Sequence, residues 1–162
     1  MKKHIYILTF ITLIIDQFIK MIVVKNLSLG TSISLIPGFF KIQYVENTGG
    51  AWGILGDSTW ILILVSAGAI ILLNKYLAKE TDKGFSKFSI LAYGLLMGGI
   101  LGNLIDRLLH GAVIDYLSFM IFSYDFPVFN LADMAIIVGM VLLIIDLMRG
   151  EINERYNRKG RC

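Results

Sequence analysis

The chain has 162 residues, is 56% hydrophobic and only 17% charged, and carries a formal charge of +3. Soluble domains run nearer about 25% charge, and this length holds one domain rather than two. A nucleic-acid binder would gather its basic residues on one polar face, whereas here most of them flank long apolar runs. The single cysteine, Cys162, excludes an internal disulfide and leaves no thiol cluster for metal binding.

In chain order, the first apolar run is Ile5 to Val24, broken only by Asp16, Gln17 and Lys20. At about 1.5 Å per residue it is long enough to cross the hydrocarbon core as a helix. Lys2 and Lys3 suit a signal-peptide n-region, but the run continues past Asp16 with no clean cleavage site after Val24, so a retained helix is expected. Ile33 to Ile36 and Phe40 to Val45 follow, β-branched and aromatic, with Pro37-Gly38 between them, and predict a small hairpin. Further spans are predicted over Trp60 to Leu77, Phe88 to Ile105 and Leu131 to Met148. Between the last two lies a loop, His110 to Asn130, whose aromatic rings suit the headgroup level. The fold class expected is an all-α polytopic membrane protein of four transmembrane helices with a small extracytoplasmic β-sheet. Residues 1–162 form one integral domain, and 25–58 form the external β-cradle segment.

Lys and Arg set the direction. The N-terminal tip, the loop between spans two and three, and the tail together hold 11 of them, while Lys25 and Lys41 stand on the other side. Both termini are therefore expected in the cytoplasm.

That direction brings the polar residues of three spans to one leaflet. Asp16 and Lys20 are four apart and share a helix face. Asn103, Asp106 and Arg107 close span three, and Asn130 and Asp133 open span four. An ionised group in lipid costs about 2.5–3.5 kcal/mol even on the lenient scale, so such residues pair or work. Asp16 with Lys20, and Asp106 with Arg107 and Asn103, read as ion-pair clasps; Asp146 beside Arg149 reads as an interfacial charge. Asp115, in the loop, and Asp133 have no Lys or Arg within four residues. If they meet, one proton is shared, giving a base and an acid for water attack on an amide. No metal ligand set accompanies them, and no cofactor is expected. Gly94, Gly98 and Gly102 recur every four residues, as close helix packing requires. Gly49-Gly50 after Asn47 reads as a tight turn. A transporter lined by the same charges, or a scaffold in which they act as glue, stays open on composition alone.

Five blocks carry a resemblance: Asp16-Gln17-Phe18-Ile19-Lys20, Asn47 to Gly53, Gly98 to Arg107, Gly111 to Tyr116, and Phe129 to Asp133. In this order and spacing the chain resembles the prolipoprotein signal peptidases, or signal peptidase II, along essentially its full length. The resemblance implies a monomeric, multi-pass bacterial cell-membrane aspartic peptidase with its active site near the extracytoplasmic face. Its substrates would be diacylglyceryl-modified prolipoproteins, cut before the lipidated cysteine, with membrane lipid around them and no nucleic acid; globomycin would be expected to bind. The implied catalytic pair is Asp115 and Asp133. Substrate-binding or site-shaping roles fall on Asp16, Lys20, Asn47, Gly49, Asn103, Arg107, Asn130 and Ala132. The chain departs from the family's commoner residues at Gly50, Trp52 and Tyr116, keeping small or aromatic character at each.

Overall fold

The computed structural model describes residues 2–49, 58–79 and 86–159. The expectations attached to Gly50 and Trp52 lie outside these residues. Helix α1 spans Lys2–Asn26, α2 Thr59–Lys79, α3 Lys87–His110 and α4 Leu131–Lys159. All four are long and apolar enough to cross a membrane, over Lys2–Asn26, Thr59–Ala78, Lys87–His110 and Leu131–Arg149. They enclose the four predicted runs, each extended by a few residues.

Helix α3 is the axis of the bundle. Its apolar window is 56% buried, against 6% for α2, so the glycine-rich helix is wrapped by protein while α2 is largely exposed. The glycines explain why. A Cβ at Gly98 would lie 2.6 Å from Thr12 Cβ, and one at Gly102 would lie 2.5 Å from Asp16 Oδ2. A Cβ at Gly99 would collide with the Ala132 carbonyl oxygen of α4. Bare backbone lets α1 and α4 close onto α3 from two sides, the packing that lipid favours. Ile5, Leu77, Tyr93 and Met97 fill the core at one end of the bundle.

At the other end sits a four-stranded antiparallel sheet in the order β1-β2-β3-β4: β1 Ser32–Ile36, β2 Phe40–Asn47, β3 Val113–Ile121, β4 Tyr124–Asp125. The predicted hairpin is present, with Gly38 at φ 72 in the turn after Pro37. The segment read as a loop around Asp115 is strand β3, paired to β2 from Phe40↔Phe119 to Asn47↔Val113. The mostly bulky residues of Val113–Ile121 satisfy backbone groups on β2, a long-range pairing that local pattern does not reveal. Helix α3 ends on Gly111, in the left-handed conformation (φ 74) with its N–H on the Arg107 carbonyl, and β3 starts two residues later. Val23, Tyr44, Ile114 and Tyr116 form a second core, joined by Leu131, that seats the sheet on the ends of α1 and α4.

Candidate active site

Asp16 and Lys20 of α1 pair at 2.8 Å, one helical turn apart, and are almost wholly buried. The same ammonium contacts Asp106 Oδ2 at 2.7 Å and donates to Asn103 Oδ1 at 3.0 Å. All three of its protons have acceptors, which is what a buried ammonium requires. The anticipated clasp between Asp106 and Arg107 is therefore corrected: Asp106 is Lys20's partner. Adjacent residues on a helix point in different directions, so Asp106 faces α1 while Arg107 faces the neighbouring cavity. Asp106 also accepts from Gln17 Nε2 at 2.8 Å and from the Ile114 N–H at 3.2 Å, tying α3 to α1 and to β3.

The start of α4 is held as firmly. Asn130 Oδ1 accepts the Asp133 N–H at 2.9 Å, and Asp133 Oδ2 accepts the Asn130 N–H at 3.2 Å. This is a capping box, with Asp133 as its third residue. The Ala132 N–H donates to Asp16 Oδ1 at 3.0 Å, and the Leu131 N–H to the Tyr116 hydroxyl at 3.2 Å. Three N–H groups that a helix start leaves unpaired thus find side chains from α1, β3 and the cap itself. Ala132, fully buried, contributes its backbone and its small volume.

The β2–β3 register sets Asn47 and Asp115 on neighbouring positions of one face. Asn47 Nδ2 donates to Asp115 Oδ2 at 2.9 Å, and Asn130 Nδ2 donates to Asp115 Oδ1 at 2.7 Å. Asn47 Oδ1 is turned back to accept the N–H of buried Gly49 at 3.1 Å. On the other carboxyl, Asn103 Nδ2 donates to Asp133 Oδ1 at 2.8 Å. Asn130 Nδ2 also approaches Asn103 Oδ1 at 3.2 Å, so the two carboxyl groups are joined through two amides. Each receives N–H donors on both oxygens.

Both aspartates line one cavity of about 460 Å³, together with Asn47, Asn103, Arg107 and an apolar wall that includes Phe126, Val128, Met134 and Ile137. Asp115 is 2% exposed, and Asp133 is half-buried. Burial, then the neighbouring Asp133 charge, pushes the Asp115 carboxyl up from 3.8 to about 7, against the hydrogen bonds from Asn47 and Asn130. Arg107 Nη1 makes one long contact, 3.4 Å, to the Asn103 carbonyl.

Every site residue named from the sequence therefore lies in this one assembly. Gln17, Asp106 and Tyr116 belong to it as supports. Gln17 and Asp106 lay inside the motif blocks, but only the packing of α1 on α3 shows what they hold. Asp146, read from the sequence as an interfacial charge, also has partners on the neighbouring helix end. It accepts hydrogen bonds from Ser86 and Ser89, and Arg149 stands 4.5 Å over the Phe88 ring, so this end of α4 is clasped to α3.

The assembly thus brings two carboxyl groups, linked through two amides, to one cavity beside an apolar wall. Known proteins share its sequence and its fold. A family model described as signal peptidase (SPase) II matches residues 8–149. The lipoprotein signal peptidase of Staphylococcus epidermidis is 39% identical over 157 residues, covering 94% of this chain and 96% of that one. That of Bacillus pumilus is 38% identical over 143 residues, with 88% and 91% covered. A solved bacterial membrane enzyme structure superposes with a TM-score of 0.81 at 35% identity, covering 91% of this chain and 88% of its own. A match that opens inside α1 and closes at the end of α4's apolar stretch takes in all four helices, the sheet and both aspartates: this chain belongs to the signal peptidase II family.

Proposed function

We propose that the protein is an aspartic endopeptidase of the bacterial cell membrane. It removes the signal peptide from diacylglyceryl-modified prolipoproteins, cutting before the lipidated cysteine. The observation that carries this reading is the placement of Asp115 and Asp133 on one cavity wall, each held by amide donors. Asp115, with its carboxyl near 7, carries the proton, and half-buried Asp133 is the base. Water between them loses a proton to Asp133 as its oxygen attacks the scissile carbonyl carbon, while Asp115 donates its proton to the carbonyl oxygen. Asp133 then passes its proton to the departing amine, the C–N bond breaks, and the proton on the oxygen returns to Asp115. One water is consumed; one carboxyl and one amine are formed.

On the Lys and Arg distribution both termini lie in the cytoplasm, and the sheet and the 25–58 segment stand outside. The signal helix lies against the apolar wall around Met134 and Ile137 while the acyl chains stay in lipid. The chain works as a monomer, and globomycin competes for the same cavity. Asp115→Asn and Asp133→Asn are each expected to lower cleavage of a purified lipidated precursor by at least about 100-fold, with thermal unfolding unchanged in kind. Wild-type turnover by either folded variant rejects the assignment.

A further inference from the structure

Lys20 touches neither the cavity wall nor either member of the aspartate pair through a hydrogen bond, yet it is the most enclosed cation among the described residues, at 1% exposure. Its three protons are directed at Asp16, Asp106 and Asn103. The third contact has a chemical consequence. A primary amide has one end that accepts and one that donates, and an ammonium only donates. Lys20 at 3.0 Å therefore compels the oxygen of Asn103 to face α1. The –NH₂ of the same amide is left pointing the other way, and it meets Asp133 Oδ1 at 2.8 Å. Asn130 reinforces the orientation by donating to the same Asn103 oxygen at 3.2 Å.

We propose that Lys20 is a positioning residue for the peptidase reaction: its ammonium fixes the orientation of the Asn103 amide, and that amide holds Asp133 ready to take a proton. With the amide reversed, an oxygen would face Asp133, the carboxylate would lose a donor, and two oxygens would repel. The charges around Asp133 are Arg107 from α3 and Asp115 from β3, with Lys20 and Asp16 of α1 and Asp106 of α3 one amide further off. Asp16 and Asp106 are both occupied by Lys20. The lysine thus neutralises part of the buried acid load and aims a neutral dipole at the base, which keeps its own positive charge out of the cavity.

The inference rests on the peptidase reading, and two variants test it. Asn103→Asp keeps a partner for Lys20, now a charged one, but sets a carboxylate oxygen against Asp133 in place of an N–H. Lys20→Met combined with Asp106→Asn removes the orienting ammonium while the net charge of the buried group is unchanged. Each is expected to lower kcat by at least about tenfold with KM within about twofold, and to move the acid-side limb of kcat upward by roughly half a pH unit or more. A merely structural role would lower the amount of folded enzyme without moving the limb. Wild-type kcat and an unmoved limb in Asn103→Asp overturn the proposal, and that variant decides the matter even where the double variant does not fold. If Asp133→Asn is itself active, the peptidase reading fails instead.

Discussion

Asp115 shows how one carboxyl is made into an acid near neutral pH. Two amide donors favour its charged form, but burial and the Asp133 charge outweigh them and leave it at about 7. The sign follows for activity. In the proposed mechanism the proton is on Asp115, so kcat/KM is expected to fall as pH rises through about 7. Asn47→Ala removes a bond that favours the carboxylate, so its alkaline limb is expected to lie at higher pH than the wild type's. A pH–rate series on both proteins measures the displacement, and a downward shift contradicts the bonding described. The sign for stability is the same. Because the folded value lies above the ordinary 3.8, this residue's contribution is complete below about pH 4 and is lost as pH rises through about 7.

The decisive contact between elements is the closure of α3 on α4. Gly99 faces the Ala132 carbonyl oxygen, and a Cβ there would also lie 2.9 Å from Ile136 Cγ1. Overpacking against backbone costs about 1–3 kcal/mol because a carbonyl cannot rotate aside as a side chain can. Gly99→Ala is therefore expected to lower the melting temperature. It also displaces the first turn of α4, and with it Asp133, so activity per folded molecule falls too. At Gly68 of α2 a Cβ would meet nothing within 4 Å; Gly68→Ala is expected to be neutral or to stabilise by up to about 1 kcal/mol. Equal stabilisation in the two variants would mean that propensity, not close approach, governs these glycines. The cap of α4 offers a finer test. Tyr116→Phe leaves the Leu131 N–H without its hydroxyl acceptor, and a loss of about 1 kcal/mol is expected in thermal unfolding.

At the scale of the whole molecule, the chain separates its charges by function. Lys and Arg crowd the ends and one loop, where they read as a topology signal, while Lys20, Asp16 and Asp106 are buried together at the opposite end of the bundle from Lys2 and Lys3. The chain's one cysteine makes its orientation measurable. With both termini inside, Cys162 is expected to resist a membrane-impermeant maleimide in intact cells and to react after permeabilisation. Ser34→Cys on exposed β1, in a Cys162→Ser background, is expected to react in intact cells. The reverse pattern inverts the assigned topology.

Much of this architecture was legible in one dimension. A membrane helix must satisfy its backbone internally and be apolar over about 20 residues, so four spans and their approximate boundaries follow from composition alone. The acidic and amide residues are equally visible, because each is out of place in an apolar run. Their partners are not. Whether Asp106 meets Arg107 or Lys20 depends on which way consecutive side chains leave α3 and on how near α1 can come, which the glycines permit but do not specify. Nor does local pattern tell that the residues around Asp115 form a strand, since β3 gains its hydrogen bonds from β2, some 70 residues away in the chain. Side-chain chemistry and lipid thickness act on the chain locally and can be read from it; the convergence of Asp115 and Asp133 on one cavity is a matter of distance through space, and only the packed helices and the sheet bring it about.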